Sequence, residues 1–189
     1  MVSRRKEILK KLRETLDRER FEHSLRVEKT AIALARKYGV STQKASLAAL
    51  LHDYSRKYSR KRLLTQAKKL KLKIDPVSRF EPKLLHAELS ALLAKRDFGI
   101  TSEPILRAIR KHTIGTPKMT KLEKIIYLSD HVEEGRNFPG VKKTRSLAMK
   151  DLDRAIMEST SQMLKYLLEK NLPLHPGTIR TRNYYLLKK

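Results

Sequence analysis

A run of small and apolar residues, Ser46-Leu47-Ala48-Ala49-Leu50-Leu51, leads directly into His52-Asp53. Such a run belongs in a core. An ionised carboxylate beside an imidazole at its end is costly to bury unless something compensates the charge. A divalent cation would do so, because neutral imidazole and carboxylate are both good ligands for it. Two adjacent residues decide nothing alone, so the question is whether other His and Asp residues converge on them.

Almost every segment has helical rather than strand periodicity. Residues from about Ser3 to Tyr38 read as one long or two shorter helices ended by Gly39. His23, Val27, Ala31, Leu34 and Tyr38 form the inward stripe there. Ser41 or Thr42 can cap the next helix, whose inward side carries Ala45, Ala49, His52 and Asp53. A basic amphipathic helix is expected from about Ser59 to Leu72, with Leu63, Leu64, Ala67 and Leu70 as its apolar stripe, and Asp75-Pro76 breaks it. Pro82 suits a first helical turn, which puts Leu85, His86, Leu89 and Leu93 inward until Gly99. Ser102-Glu103-Pro104 opens a helix with Ile105, Ala108, Ile109 and His112 on one side.

After the loop Gly115-Thr116-Pro117, Thr120 and Glu123 carry a capping-box signature. Leu122, Ile126, Ser129, Asp130 and Glu133 are in phase behind it. Gly135 to Gly140 reads as a loop, and about Leu147 to Lys170 as the last long helix, with a stripe through Leu152, Ile156, Met163, Leu164 and Leu167. His175-Pro176-Gly177-Thr178 follows, with a short helix to Leu187. The expected architecture is an all-α helical bundle forming one domain over residues 1–189, its core at about 18–135 and its C-terminal helices at 146–187.

The chain has no cysteine, so a disulfide framework and a Cys-based zinc site are both excluded. The N-terminal pattern is charged and amphipathic, without the apolar region of a signal peptide. No stretch reaches about 18 continuous apolar residues. The expectation is a cytoplasmic protein without a membrane partner. A net charge of +24 attracts anions, nucleotides and nucleic acid among them. Between Tyr54 and Ile74 stand nine Lys or Arg residues and no acid. The plain reading of that stretch is a solvated helical face, and it lacks the interleaved aromatics on which bases of a single strand would stack.

A histidine on an apolar stripe is ordinarily a hydrogen-bonded core residue. Here four helices each place one His or Asp inward (His23, His86, His112, Asp130), and a fifth carries His52-Asp53. Burying so many polar groups without a shared partner would forfeit several kcal/mol. A metal at the helix crossing gives them one partner, as in helix-bundle metal sites. The mixture of imidazole and carboxylate suits iron, manganese or zinc better than magnesium or calcium. Glu133 reads as a surface ion-pair residue, with ligand orientation as the alternative, and His131 as exposed or behind the ligands. Tyr184 and Tyr185 read as packing residues, with base stacking as the alternative.

The ordered set His23, His52-Asp53, His86, His112, Asp130 resembles the HD-domain metal phosphohydrolases, which are all-helical and hold a metal with H…HD…D. More narrowly, Arg-Phe-Glu-His23-Ser, Ala-Leu-Leu-His52-Asp53-Tyr, Leu-Leu-His86-Ala, Ile-Arg-Lys-His112-Thr113, Tyr-Leu-Ser-Asp130 and Gly-Arg136-Asn-Phe-Pro-Gly-Val are similar to the bacterial YqeK-type symmetrical diadenosine-tetraphosphatases. So is His175-Pro-Gly-Thr-Ile-Arg-Thr-Arg182-Asn183. The resemblance spans nearly everything from about residue 18. Two positions depart from it: Arg56 replaces the usual lysine, which alters geometry while keeping charge, and Glu134 replaces an expected proline.

The resemblance implies that His23, His52, Asp53 and Asp130 hold a metal, iron first and manganese or another divalent transition metal otherwise. It implies that His86 and His112 contact phosphate or a second metal, that Arg136 clamps phosphate, and that these histidines and aspartates are the catalytic set. It places Arg56, Thr113, His175, Pro176, Gly177, Thr178, Ile179, Arg180 and Tyr184 on the substrate side with His23, His86, His112, Asp130 and Arg136. The implied reaction is hydrolysis of diadenosine tetraphosphate to two ADP by water activated at the metal. Other nucleotide or alarmone phosphohydrolase activity is the alternative within the superfamily. A basic nucleic-acid-binding protein with a vestigial metal site is the alternative outside it, with binding that weakens steeply in salt. A homodimer is left open.

Overall fold

Asp17 decides how the N-terminal apolar pattern is cut. Its carboxylate accepts the Arg20 N–H at 2.8 Å, which separates α1 (Val2–Thr15) from α2 (Arg18–Lys37). Here the structure is a computed structural model that describes residues 2–188. The chain then turns through Gly39 at φ +64°. Ser41 accepts the Lys44 N–H and starts α3 (Thr42–Leu51).

Every residue of α3 from Ala45 to Leu51 is buried, so the apolar run marks a helix enclosed on all sides. α2 packs along it, with α7 (Glu103–Lys111) and α8 (Lys121–Val132) closing the other faces. Leu50, Leu51, Ile109, Ile125 and Ile126 are fully enclosed at the crossing. Burial of each such side chain is worth about 1.5–3 kcal/mol. α8 starts with the full capping box between Thr120 and Glu123, as expected from the sequence.

A smaller apolar cluster, Leu63, Ala67, Leu85 and Leu89, seats α4 (Arg60–Lys69) against α6 (His86–Phe98). α4 is shorter than its periodicity suggested. It ends at Lys69, two residues before Lys71 takes φ +54°, and Leu70 is left exposed. Asp75 does not merely break that helix. Its carboxylate accepts the Val77 and Ser78 N–H groups and starts α5 (Pro76–Phe80). Pro82 opens a 3₁₀ turn, Pro82–Leu85, and the α-helix proper begins at His86.

The expected long helix over about 147–170 is two helices, α9 (Val141–Ala148) and α10 (Leu152–Glu169). The cause is Asp151, whose side chain accepts the Asp153 and Arg154 N–H groups as an N-cap. Leu152, Ala155, Ile156, Ser159 and Thr160 form the buried face of α10. Met163, Leu164 and Leu167 are only half-buried, where the helix outruns the core. α11 (Pro176–Leu187) returns antiparallel to α10. Among the described residues there is no strand, and no helix is long and apolar enough to cross a membrane.

The α7–α8 loop meets α11 at Gly115, at φ +72°. A Cβ there would stand 2.8 Å from Thr181 Cγ2. Gly115→Ala combines a left-handed backbone with that clash and is expected to cost about 1–3 kcal/mol. The urea-unfolding midpoint reads it, and a midpoint equal to wild type would contradict the packing described.

Candidate metal centre

Five helices deliver the inward ligands. His23 comes from the middle of α2, His52 and Asp53 from the C-terminal end of α3, His86 from the first residue of α6, His112 from the end of α7, and Asp130 from the last turn of α8. His23, His52, Asp53, His86 and His112 are all at least nine-tenths buried. Ser55, in the 3₁₀ turn Tyr54–Lys57, fastens the His52-Asp53 corner to α6. Its Oγ donates to the His86 carbonyl at 2.9 Å, and its N–H donates to Ser90 Oγ at 3.0 Å.

Each ring is oriented by its Nδ1. His52 Nδ1 donates to the Ala49 carbonyl at 2.6 Å, and His112 Nδ1 to the Ile109 carbonyl at 2.7 Å. His86 Nδ1 donates to the Lys83 carbonyl. His23 Nδ1 lies 3.2 Å from Glu133 Oε1. With the proton on Nδ1, every Nε2 presents a lone pair to the interior, as a metal ligand must. Burial holds His52 below its ordinary pKa despite the charges of Asp53 and Asp130. Burial, with the His52 and His86 rings, pushes His112 down to about 3.

The carboxylates go the other way. Burial favours the neutral acid of Asp53, but His52 and the hydrogen bond and charge of His86 outweigh it and hold the group well below the usual range. Burial likewise opposes ionisation of Asp130, and the close contact with His23, together with His52 and the Arg136 charge, outweighs it. Neutral imidazoles and ionised carboxylates are the protonation states that bind a cation.

The distances suit one ion. His23 Nε2 stands 3.0 Å from Asp130 Oδ1 and 3.9 Å from Asp53 Oδ2. His52 Nε2 stands 3.7 Å from Asp53 Oδ2 and 3.8 Å from Asp130 Oδ1. Atoms bound at about 2.1 Å to one cation lie about 3.0–4.2 Å apart. Moreover, His23 Nε2 and His52 Nε2 are buried without a hydrogen-bond partner. The short His23–Asp130 contact is out of line for a ring N–H. Two orphaned lone pairs facing two carboxylates fit a divalent metal and are otherwise unexplained.

Asp53 joins this cluster to a second one. Its Oδ1 lies 3.1 Å from His86 Nε2 and 3.9 Å from His112 Nε2. The two histidine Nε2 atoms are 2.9 Å apart, with Thr113 Oγ1 at 3.1 Å from each. Since both Nδ1 protons are committed to carbonyls, two lone pairs would face each other unless a proton or cation lies between them.

A family model for the HD domain matches residues 20–135 of this sequence. The chain belongs to the HD domain family. It is 41% identical over 174 residues to a Halalkalibacterium halodurans protein named bis(5′-nucleosyl)-tetraphosphatase, symmetrical, covering 92% of each chain. A Bacillus subtilis protein of the same name is 39% identical, covering 95% of this chain and 96% of the relative. The solved structure of a Clostridium acetobutylicum protein, named a predicted HD superfamily hydrolase involved in NAD metabolism, superposes with a TM-score of 0.94. It is 36% identical and covers 97% of both chains.

In this HD-domain protein the remaining candidate residues surround the centre unevenly. Arg136, in the loop after α8, donates to the Asp130 carbonyl at 2.9 Å and to Asp130 Oδ1 at 2.7 Å. Arg56 is half-buried in the turn after Asp53, where its N–H donates to the Asp53 carbonyl at 2.8 Å. A cleft of about 430 Å³ opens beside His86 and His112, lined by their sequence neighbours Leu85, Ala87 and Lys111 and by His175, Gly177 and Arg180.

His175 caps α11, its Nδ1 accepting the Gly177 N–H at 2.9 Å. Its Nε2 lies 3.5 Å from Asp75 Oδ2 across the cleft. Pro176 is exposed, Gly177 and Thr178 are buried and Ile179 half-buried. Tyr184 packs against the main core, and the Tyr185 hydroxyl accepts the Met119 N–H at 3.0 Å. His131 is half-buried rather than exposed, with its ring edge-on to Phe138.

The sequence does not single out Arg20, and for Glu133 it sets a surface ion pair ahead of ligand orientation. Arg20 donates to Asp53 Oδ2 at 2.8 Å. It stands one helical turn before His23, on the same face of α2, which was the available signal. Glu133 is only 2% exposed, so its surface assignment is corrected. The reason is Arg26, whose guanidinium covers it from α2 at 2.7 Å, a contact that helix phase alone does not reveal.

Proposed function

We propose that this protein is a symmetrical bis(5′-nucleosyl)-tetraphosphatase, which hydrolyses diadenosine tetraphosphate to two ADP. The observation that carries the reading is the pair of buried Nε2 atoms of His23 and His52, which have no hydrogen-bond partner and face the Asp53 and Asp130 carboxylates, beside a cleft large enough for a nucleoside. The shared name of the relatives supports the substrate. His23, His52, Asp53 and Asp130 would hold the metal, and iron is our choice among the divalent ions that this donor set accepts. When bound, it supplies a Lewis acid that acidifies water and offsets charge on phosphoryl oxygens.

The chain's own groups do the rest. Arg20 holds the Asp53 carboxylate in line, and Arg136 does the same for Asp130 while its outer edge remains open to a phosphate. A proton lying between the His86 and His112 Nε2 atoms, 2.9 Å apart, answers their two facing lone pairs. His86 can then donate through Nε2 to a phosphoryl oxygen, assisted by the Thr113 hydroxyl. Lys111 and Arg180 border the cleft beside them and offset the charge of a bound nucleotide.

The test is product identification. Iron-loaded protein incubated with diadenosine tetraphosphate should release ADP alone, separated by anion-exchange chromatography. ATP with AMP would overturn symmetrical cleavage, and intact substrate would overturn the assignment.

A further inference from the structure

We infer that Glu133 is a positioning residue for the metal, holding the His23 ring so that its Nε2 faces Asp130 and Asp53. This rests on the metal-centre reading above and extends it to a residue outside the ligand set. The carboxylate is anchored before it meets His23. Its Oε2 accepts the Arg26 Nε–H at 2.7 Å and the Gly135 N–H at 2.6 Å. Its backbone is fixed as well: Arg145 donates to the Val132 carbonyl at 2.8 Å and to the Glu133 carbonyl at 2.9 Å. Only Oε1 is left for His23 Nδ1, at 3.2 Å.

The other three histidines of the centre use a carbonyl three residues earlier in their own chain segment, Ala49, Lys83 or Ile109. That local brace comes with a helix end. His23 sits in mid-helix, where the carbonyls of the preceding turn are taken by the helix itself. It therefore needs a brace from another element, and Glu133 reaches it across 110 positions of sequence. Carboxylate behind a ligating imidazole fixes the tautomer and raises the ligand's basicity, and loss of such a group typically costs about 10–100-fold in metal affinity.

The competing account makes Glu133 a structural ion-pair partner of Arg26 and nothing more. Calorimetric titration with Mn²⁺ of metal-free wild type and of Glu133→Ala, Glu133→Gln and Arg26→Met separates the two. We expect Glu133→Ala to weaken Mn²⁺ binding about 10–100-fold. Glu133→Gln should be weakened as well, because its single amide oxygen cannot serve both the Arg26 and Gly135 N–H groups and His23 Nδ1–H, and the two donors hold it on their side. Arg26→Met, which leaves the Gly135 N–H to hold Oε2, should weaken affinity far less than Glu133→Ala while lowering the melting temperature of the metal-free protein. If Glu133→Ala does not fold, Glu133→Asp replaces it, keeping the charge but drawing back from His23, with weakened binding expected. Wild-type affinity in these Glu133 variants overturns the inference alone, as does a loss in Arg26→Met equal to that in Glu133→Ala. Wild-type protein that takes up no Mn²⁺ overturns the metal reading with it.

Discussion

Asp53→Asn is expected to lower kcat on diadenosine tetraphosphate by about 10³-fold or more, while the circular dichroism of the folded protein stays unchanged. Asparagine has nearly the same volume, so the enclosed crossing of α2, α3 and α7 keeps its packing. What changes is charge at a carboxylate that touches both clusters. Asp53 Oδ2 faces Arg20 at 2.8 Å and the His23 and His52 ligand atoms at 3.9 and 3.7 Å. Oδ1 faces His86 at 3.1 Å.

An amide must turn its NH₂ toward one side or the other. Turned to Oδ2's place it opposes Arg20 and displaces a ligand atom; turned to Oδ1's place it removes the acceptor that stands 3.1 Å from His86 Nε2. Either way the cation loses a negative ligand, and the metal's contribution of several kcal/mol falls, at about 1.4 kcal/mol per decade of rate. Steady-state kinetics at saturating metal reads the effect. A kcat within about tenfold of wild type would remove Asp53 from the machinery.

The surroundings of Asp53 combine residues legible in the sequence with contacts that were not. The α3 run ending in His52-Asp53 was legible because an enclosed helix has no polar face, so polar residues at its tip must meet partners. His23, His112 and Asp130 were legible because each sits in phase with apolar neighbours on its own helix. Phase is a property of one helix, however, and for that reason Glu133 reads first as a surface residue and only second as one that orients a ligand. It follows Asp130 by three residues and would face solvent if α2 did not lay Arg26 over it. The 2.9 Å approach of His86 to His112 was illegible in the same way, being set by how α6 and α7 cross. The break at Asp151 was missed on different grounds. A strong apolar stripe on both sides outweighed a single capping residue, and the cap won because it satisfies two N–H groups that an interior aspartate would not.

Removing the metal should lower the melting temperature of the protein by about 8–16 °C as well as stop turnover. A ligand that binds only the folded state adds about 4 kcal/mol of stability at a thousand times its dissociation constant. For a chain of this length each kcal/mol moves the midpoint by about 2–4 °C. The structure says where that energy resides. Without a cation, His23 Nε2 and His52 Nε2 are buried with nothing to accept, and ionised Asp53 and Asp130 face each other across the same space.

The helices themselves do not depend on the ion, since their caps at Asp17, Ser41, Asp75, Thr120 and Asp151 are side chains of the chain itself. Protein stripped with a chelator and dialysed should therefore keep its far-ultraviolet circular dichroism at 25 °C while melting earlier, and Mn²⁺ should restore the midpoint. The same stripping of an Asp130→Asn variant should shift its midpoint far less, because one of the charged ligands is already gone. A wild-type midpoint indifferent to the chelator would mean that the buried imidazoles and carboxylates have found some partner other than a metal.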